Sequence, residues 1–121
     1  MREIELMFVE KITGEQLSSV EFVQDYLQLH FDGPTLTLFT WPVITLPERE
    51  ARFGDLGYRD VLCGRIGQKV VEVEMKADEA LVVRFDDGVA ITISLRPEHR
   101  AGPEAGHFSA CRDSREPLLV F

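Results

Sequence analysis

Apolar and polar residues alternate most cleanly between Gly67 and Pro97. Val71, Val73 and Met75 alternate with Glu72, Glu74 and Lys76, and a period of two sends the two sets to opposite faces of a strand. Ala77 to Ala80 interrupts the pattern as a turn would. Leu81, Val83 and Phe85 resume it, with Arg84 pointing the other way. Asp86-Asp87-Gly88 follows. An Asp-Gly pair between alternating runs signals a hairpin, because both residues tolerate the positive φ of a primed turn. Ile91, Ile93 and Leu95 make a third alternation, closed by Pro97, which cannot donate to a ladder. The stretch predicts a three-stranded antiparallel meander.

Gly14 to Pro42 repeats the pattern. Gly14, Val20, Glu21 and Asp25 recur as Gly67, Val73, Glu74 and Asp78. After a one-residue insertion, Leu27, Phe31 and Asp32 recur as Leu81, Phe85 and Asp86. After a second, Gly33, Thr37 and Pro42 recur as Gly88, Thr92 and Pro97. Both insertions fall in turns, where a duplicated meander absorbs them. Each unit has one apolar face that it cannot bury alone, and two such faces packed together make a core. The predicted fold is therefore mainly β: two similar three-stranded antiparallel meanders packed as a sandwich or partly open barrel. It is expected as a single domain over residues 1–121, with internal repeat units at 14–42 and 67–97.

Terminal strands and one short helix complete the prediction. Ile4, Leu6 and Phe8 alternate with Glu3, Glu5 and Met7 and read as a first strand, although Glu, Leu and Met also suit a short helix. Leu118 to Phe121 reads as a closing edge strand. Pro47 to Phe53 is a helical turn or a polar loop. Tyr58, Val61, Leu62 and Ile66 sit at helical spacing and predict a helix near Asp55 to Cys63, stopped by Gly64. The tail from Glu98 to Pro117 is rich in glycine, proline and charge. It is longer than a usual connection, so it is either partly helical over Glu104 to Ser109 or a functional loop.

Ile93-Ser-Leu-Arg-Pro-Glu98, Gly102-Pro-Glu-Ala105, the closing Leu-Val-Phe and the matched Leu, Phe-Asp and Gly positions of each copy form a recognisable set. Together they resemble small uncharacterised bacterial β-rich domains. The resemblance implies a compact bacterial β-rich protein and brings no activity with it. In size and charge the chain is also similar to some small acidic immunity proteins, without sharing a motif with them.

Composition narrows the function classes. The chain has 121 residues and a net charge of −8, with 21 acidic against 13 basic side chains. No basic face is available to neutralise phosphates or an anionic bilayer, so neither a nucleic acid nor a membrane is expected as partner. No run approaches the length of a membrane span, and the acidic N-terminus does not read as a signal peptide. The protein is expected in the cytoplasm, with Cys63 and Cys111 reduced. No glycine-rich phosphate loop is present, and no cofactor is expected.

The sharpest surface difference lies between the outward positions of the two copies. The second presents Val82, Arg84, Ser94 and Arg96; the first presents Tyr26, Gln28, His30, Thr35, Thr37, Phe39 and Trp41. A large exposed aromatic stripe calls for something to cover it. The N-terminal strand or the mid-chain helix, a second copy in a homodimer, and a groove for a ligand or protein partner are the three readings. For the last, Tyr26, His30, Phe39 and Trp41 are the binding candidates.

The tail supplies a second set: Glu98, His99, Glu104 and His107. With Cys111 and Asp113 they could form a metal site, a thiol–imidazole pair or an acid/base pair. The spacing matches no named zinc motif, and solvated loop residues are the plainer reading. Arg100 lies between the first carboxylates and is expected to hold the loop together by ion pairing. The leading expectation is a non-enzymatic interaction module using the aromatic face, with a protein or itself as partner. A small enzyme or metal-binding protein with its site at 98–111, and a homo-oligomeric scaffold, are the alternatives.

Overall fold

The structure is a computed structural model, and it describes residues 3–100, 102–110 and 119–121. Helix α1 spans Glu3–Ile12. Strands β1 (Leu17–Phe22), β2 (Leu27–Phe31) and β3 (Thr35–Leu38) form the first meander. Strands β4 (Val43–Thr45) and β5 (Glu50–Ala51) form a short hairpin, followed by helix α2 (Tyr58–Cys63). Strands β6 (Val70–Lys76), β7 (Ala80–Phe85) and β8 (Ala90–Ser94) form the second meander. A 3₁₀ turn at Pro97–His99 leads to β9 (Gly106–Ser109) and β10 (Leu119–Val120).

The predicted sandwich is present: the strands form two antiparallel five-stranded sheets, ordered β1-β2-β3-β9-β10 and β5-β4-β8-β7-β6. Each meander is completed by the hairpin that follows the other. The chain leaves β3 through residues 39–42 and enters β4, which pairs with β8 (Ile44 opposite Ile91). It leaves β8 through residues 95–105 and enters β9, which pairs with β3 (Phe108 opposite Leu36). Crossing between sheets in this way ties the two units into one core that neither could close alone.

The meanders also join directly. Gly14 N–H donates to Val70 O (2.8 Å) and Gly67 N–H to Leu17 O (2.7 Å). Leu17 N–H donates to Gln68 O (3.1 Å) and Val70 N–H to Glu15 O (2.9 Å). The offset that sets Gly14 on Gly67 exchanges each bond with its mate, and Gln16 bridges Lys69, its own counterpart. The two units therefore meet across an approximate two-fold axis. Each first strand carries a bulge just beyond it, between Leu17 and Ser19 and between Val70 and Glu72.

The second bulge corrects one expectation. Val70 turns inward and is fully buried, whereas Val71 is exposed. An extra residue shifts every following side chain by one face, so the inward set is Val70, Val73 and Met75.

The expected N-terminal strand is instead α1. Phe8 and Ile12, four residues apart, are both fully buried, while Leu6 and Met7 face solvent. That is the spacing of one helical face. The Thr13 hydroxyl donates to Val9 O (2.7 Å), and Gly14 leaves the helix at φ 91°. The helix lies against β6 and β10, and α2 lies against β1, so each helix packs beside a sheet edge. The predicted mid-chain helix is present as α2 and stops at Gly64.

The sandwich interior holds Leu27, Leu29, Phe31, Leu36, Leu38 and Phe108 from the first sheet. It holds Ile44, Val73, Leu81, Val83, Ile91 and Ile93 from the second. Phe8 closes one end, edge-on to Phe108 with ring centres 4.6 Å apart. The tail adds strand rather than helix: residues 106–109 are β9, paired with β3 throughout. Leu119 and Val120 form the expected closing edge strand. Cys111 and Asp113 lie outside the described residues.

Candidate functional site

The outward side of the first sheet can be read off its register. Leu27 faces Leu38 across β2 and β3 and both point inward, so Tyr26 and Phe39, one residue beyond each, point outward together. Their rings meet edge to face at 5.9 Å. His107 sits opposite Thr37, and its ring meets Phe39 at 5.6 Å. Each such aromatic contact is worth about 1 kcal/mol beyond its buried area. All three side chains are half-buried.

A loop from the far end of the sequence closes over this row. Phe39 N–H donates to Ala105 O (2.8 Å), and Ala105 N–H to Phe121 O (2.6 Å). Arg100 holds the loop from behind, donating to Leu95 O (2.7 Å) and Pro103 O (3.3 Å) and lying 3.6 Å from Asp78. Arg100 holds the loop largely through carbonyl oxygens, not through the ion pairs expected with the flanking carboxylates. Between the loop and the sheet lies a groove of about 380 Å³, lined by Asp25, Phe39, Gly102, Pro103 and Glu104. Three separate chain segments meet there: the β1–β2 turn, the end of β3 and the approach to β9.

Glu104 also shapes the electrostatics. Burial holds the His107 imidazole below its ordinary value of 6.5, and Glu104 pulls the other way. The neutral ring dominates at neutral pH. His107 Nδ1 is buried and finds no hydrogen-bond partner among the described residues.

Of the sequence candidates, Phe39 and Glu104 line this groove, and Tyr26 and His107 flank it through their contacts with the Phe39 ring. His30 shares the sheet face but lies further along it, opposite Thr35. Its Nδ1 is 3.0 Å from Thr35 Oγ1 and its Nε2 3.3 Å from Glu21 Oε1. With Nε2–H donating to Glu21, Nδ1 accepts the Thr35 hydroxyl proton. The order carboxylate–imidazole–hydroxyl resembles a nucleophile relay, but Thr35 is only 6% exposed. The trio ties β1, β2 and β3 together.

Trp41 belongs to a different cluster. It stacks flat on Phe53 (4.4 Å, 8°), which meets Tyr58 edge to face at 6.0 Å. The Tyr58 hydroxyl donates to Pro42 O at 2.5 Å, and its burial raises its pKa well above the ordinary phenol value. Trp41 thus anchors α2 beside the β3–β4 crossover. Glu98 and His99 lie in the 3₁₀ turn, both exposed, with His99 Nδ1 2.6 Å from Ser94 Oγ.

A second cleft of about 390 Å³ runs along Phe53 to Asp60. All its lining residues come from one stretch of chain, and Leu56 stands fully exposed beside it. It is a recess within one loop, whereas the Phe39 groove has walls from three elements. Among the described residues, no three His, Cys, Asp or Glu side chains converge to hold a metal. No described helix is long and apolar enough to cross a membrane.

Sequence reasoning missed Asp25, Pro103 and Phe53. Asp25 carried a signal, as the turn partner of Tyr26 between two predicted strands. Pro103 lay in a recognised turn, but nothing local tied that turn to Phe39. Comparison with protein-family models, curated proteins and solved structures finds no match to this chain.

Proposed function

We propose that the protein is a non-enzymatic binding module that holds a segment of a protein partner in the groove between Phe39 and Pro103–Glu104. The observation that carries this reading is the convergence of Tyr26, Phe39 and His107 with a loop from the other half of the chain. Half-buried aromatic rings held in place by their neighbours offer contact area with little side-chain entropy left to lose, as interface anchors do. The acidic chain and its two cysteines are in keeping with a cytoplasmic protein.

The test is photo-crosslinking in cells of the source organism. A benzophenone side chain replaces Pro103 in one variant and Val82, on the second sheet, in a control. The expected result is a discrete adduct from position 103, absent from position 82 and lost when Phe39→Ala is added. An adduct of twice the chain's mass shows a second copy as occupant instead. Equal labelling from both positions, or none from 103, overturns the reading.

A further inference from the structure

We propose that the occupant's anchor is a cationic side chain, an arginine or lysine of a basic partner segment, lying on Phe39 with its charge between Asp25 and Glu104. This rests on the groove being a binding site and adds the chemistry of what enters it.

Two carboxylates and an aromatic ring line one small cavity. Several carboxylates on this protein's sheets and turns have cations. Glu72 and Glu74 share Arg84, Asp87 takes Arg65, Asp78 meets Arg100, and Glu50 meets Arg52. Asp25 and Glu104 form no ion pair among the described residues. Arg100, which precedes the groove loop, spends its guanidinium on Leu95 O, Pro103 O and Asp78.

A ring face attracts a cation through its quadrupole, and a carboxylate pair adds Coulombic attraction. The long aliphatic stem of Arg or Lys suits the apolar part of the groove. An acidic protein of net charge −8 also steers a basic partner toward it over longer range. A neutral apolar anchor would leave two carboxylates partly desolvated and uncompensated.

The experiment titrates the full chain with three synthetic peptides, followed by backbone amide shifts in ¹⁵N-resolved NMR spectra. The peptides are acetyl-Gly-Ser-X-Ser-Gly-amide with X as arginine, its neutral isostere citrulline, or norleucine. The arginine peptide is expected to shift the amides of Asp25, Tyr26, Phe39 and Glu104 and to bind at least tenfold more tightly than the citrulline peptide. Asp25→Asn with Glu104→Gln is expected to erase that difference while leaving the remaining spectrum in place. Citrulline or norleucine binding as tightly as arginine at those amides overturns the cationic anchor and leaves the groove as a binding site. No shift at those amides from any of the three overturns both. Raised salt weakens the arginine peptide alone if the charge is what is read; an unchanged affinity counts against it.

Discussion

The two sheets share a strand plan and an inward face, yet their outward faces are built on different principles. On the second sheet, Arg84 lies 2.9 Å from Glu72 and 3.5 Å from Glu74, with Lys76 4.0 Å from Glu74. These groups are well exposed, and such lattices favour solubility and add little stability. The shallow cavity there, about 230 Å³, is lined by Glu74, Lys76, Glu79, Ala80, Val82 and Arg84. On the first sheet the positions matching Glu74 and Arg84 hold Glu21 and His30, and Ser94 is matched by Phe39. His30, Thr35, Thr37 and Ser109 on that face are all buried.

The inward face must fit the shared core, so it retains its pattern. The outward face is released from that constraint. The crossovers amplify the difference: residues 39–42 link β3 to β4, whereas residues 95–105 link β8 to β9. The extra chain in the second crossover supplies Gly102, Pro103 and Glu104, three of the five groove residues. One half of the molecule thus builds a wall over the other half's aromatic row.

The largest expected effect comes from prising that wall away. Gly106 pairs with Leu38 where β9 begins. A Cβ there would run into Thr37 O and stand 2.9 Å from two atoms of the Phe121 ring. Backbone cannot yield as a side-chain tip can. Gly106→Val is expected to cost about 3 kcal/mol in urea unfolding and to displace the groove amides. Val43→Ala, on the half-buried outward position of β4, is a change in the strand that takes β9's part in the other sheet and should cost about 1 kcal/mol. Equal losses would mean that the wall is not specially tied to β3.

A smaller effect separates the two outward faces. His30→Ala removes the ring that joins Glu21 to Thr35 and leaves a buried hydroxyl without its partner. The expected cost is about 2 kcal/mol. Arg84→Ala, at the matching position, breaks two exposed ion pairs and should cost at most about 0.5 kcal/mol. Similar values from chemical denaturation would erase the distinction between a structural face and a solvated one.

Much of this fold was legible because a meander writes itself in period two. Leu27-Leu29-Phe31 and Leu81-Val83-Phe85 alternate without interruption, and Asp-Gly turns separate them from the next strands. The crossed hairpins were not legible. Strand β5 has two residues and β4 three, too few to show a period. Helix α1 is masked by Glu3-Ile4-Glu5-Leu6, which alternates like a strand, and its own signal is the Phe8–Ile12 spacing that the helix alternative needs. Carrying period two past Leu38, where β3 ends, puts Trp41 on the aromatic face, which it does not join. The groove itself joins Phe39 to Pro103, and a pairing that distant leaves no local trace. What the sequence did show was the component list: aromatic residues in one copy, and Glu104 with His107 in the tail.

The smallest expected effect tests the electrostatics of the groove. Burial depresses the His107 pKa in the folded protein below 6.5, with Glu104 opposing the shift. The unfolded chain then binds more protons than the native one below that pH, so stability rises with pH across the window. The contribution is full above pH 6.5 and falls as the pH drops toward the folded value. Removing Glu104 takes away the opposing influence. Glu104→Gln is therefore expected to steepen the loss of stability between neutral pH and pH 5, whereas His107→Gln flattens it. The second sheet offers an internal control, since Val43 occupies the place that matches His107 and cannot titrate. Urea unfolding at several pH values resolves these slopes. A Glu104→Gln slope no steeper than that of the original chain would show that the carboxylate does not act on the ring.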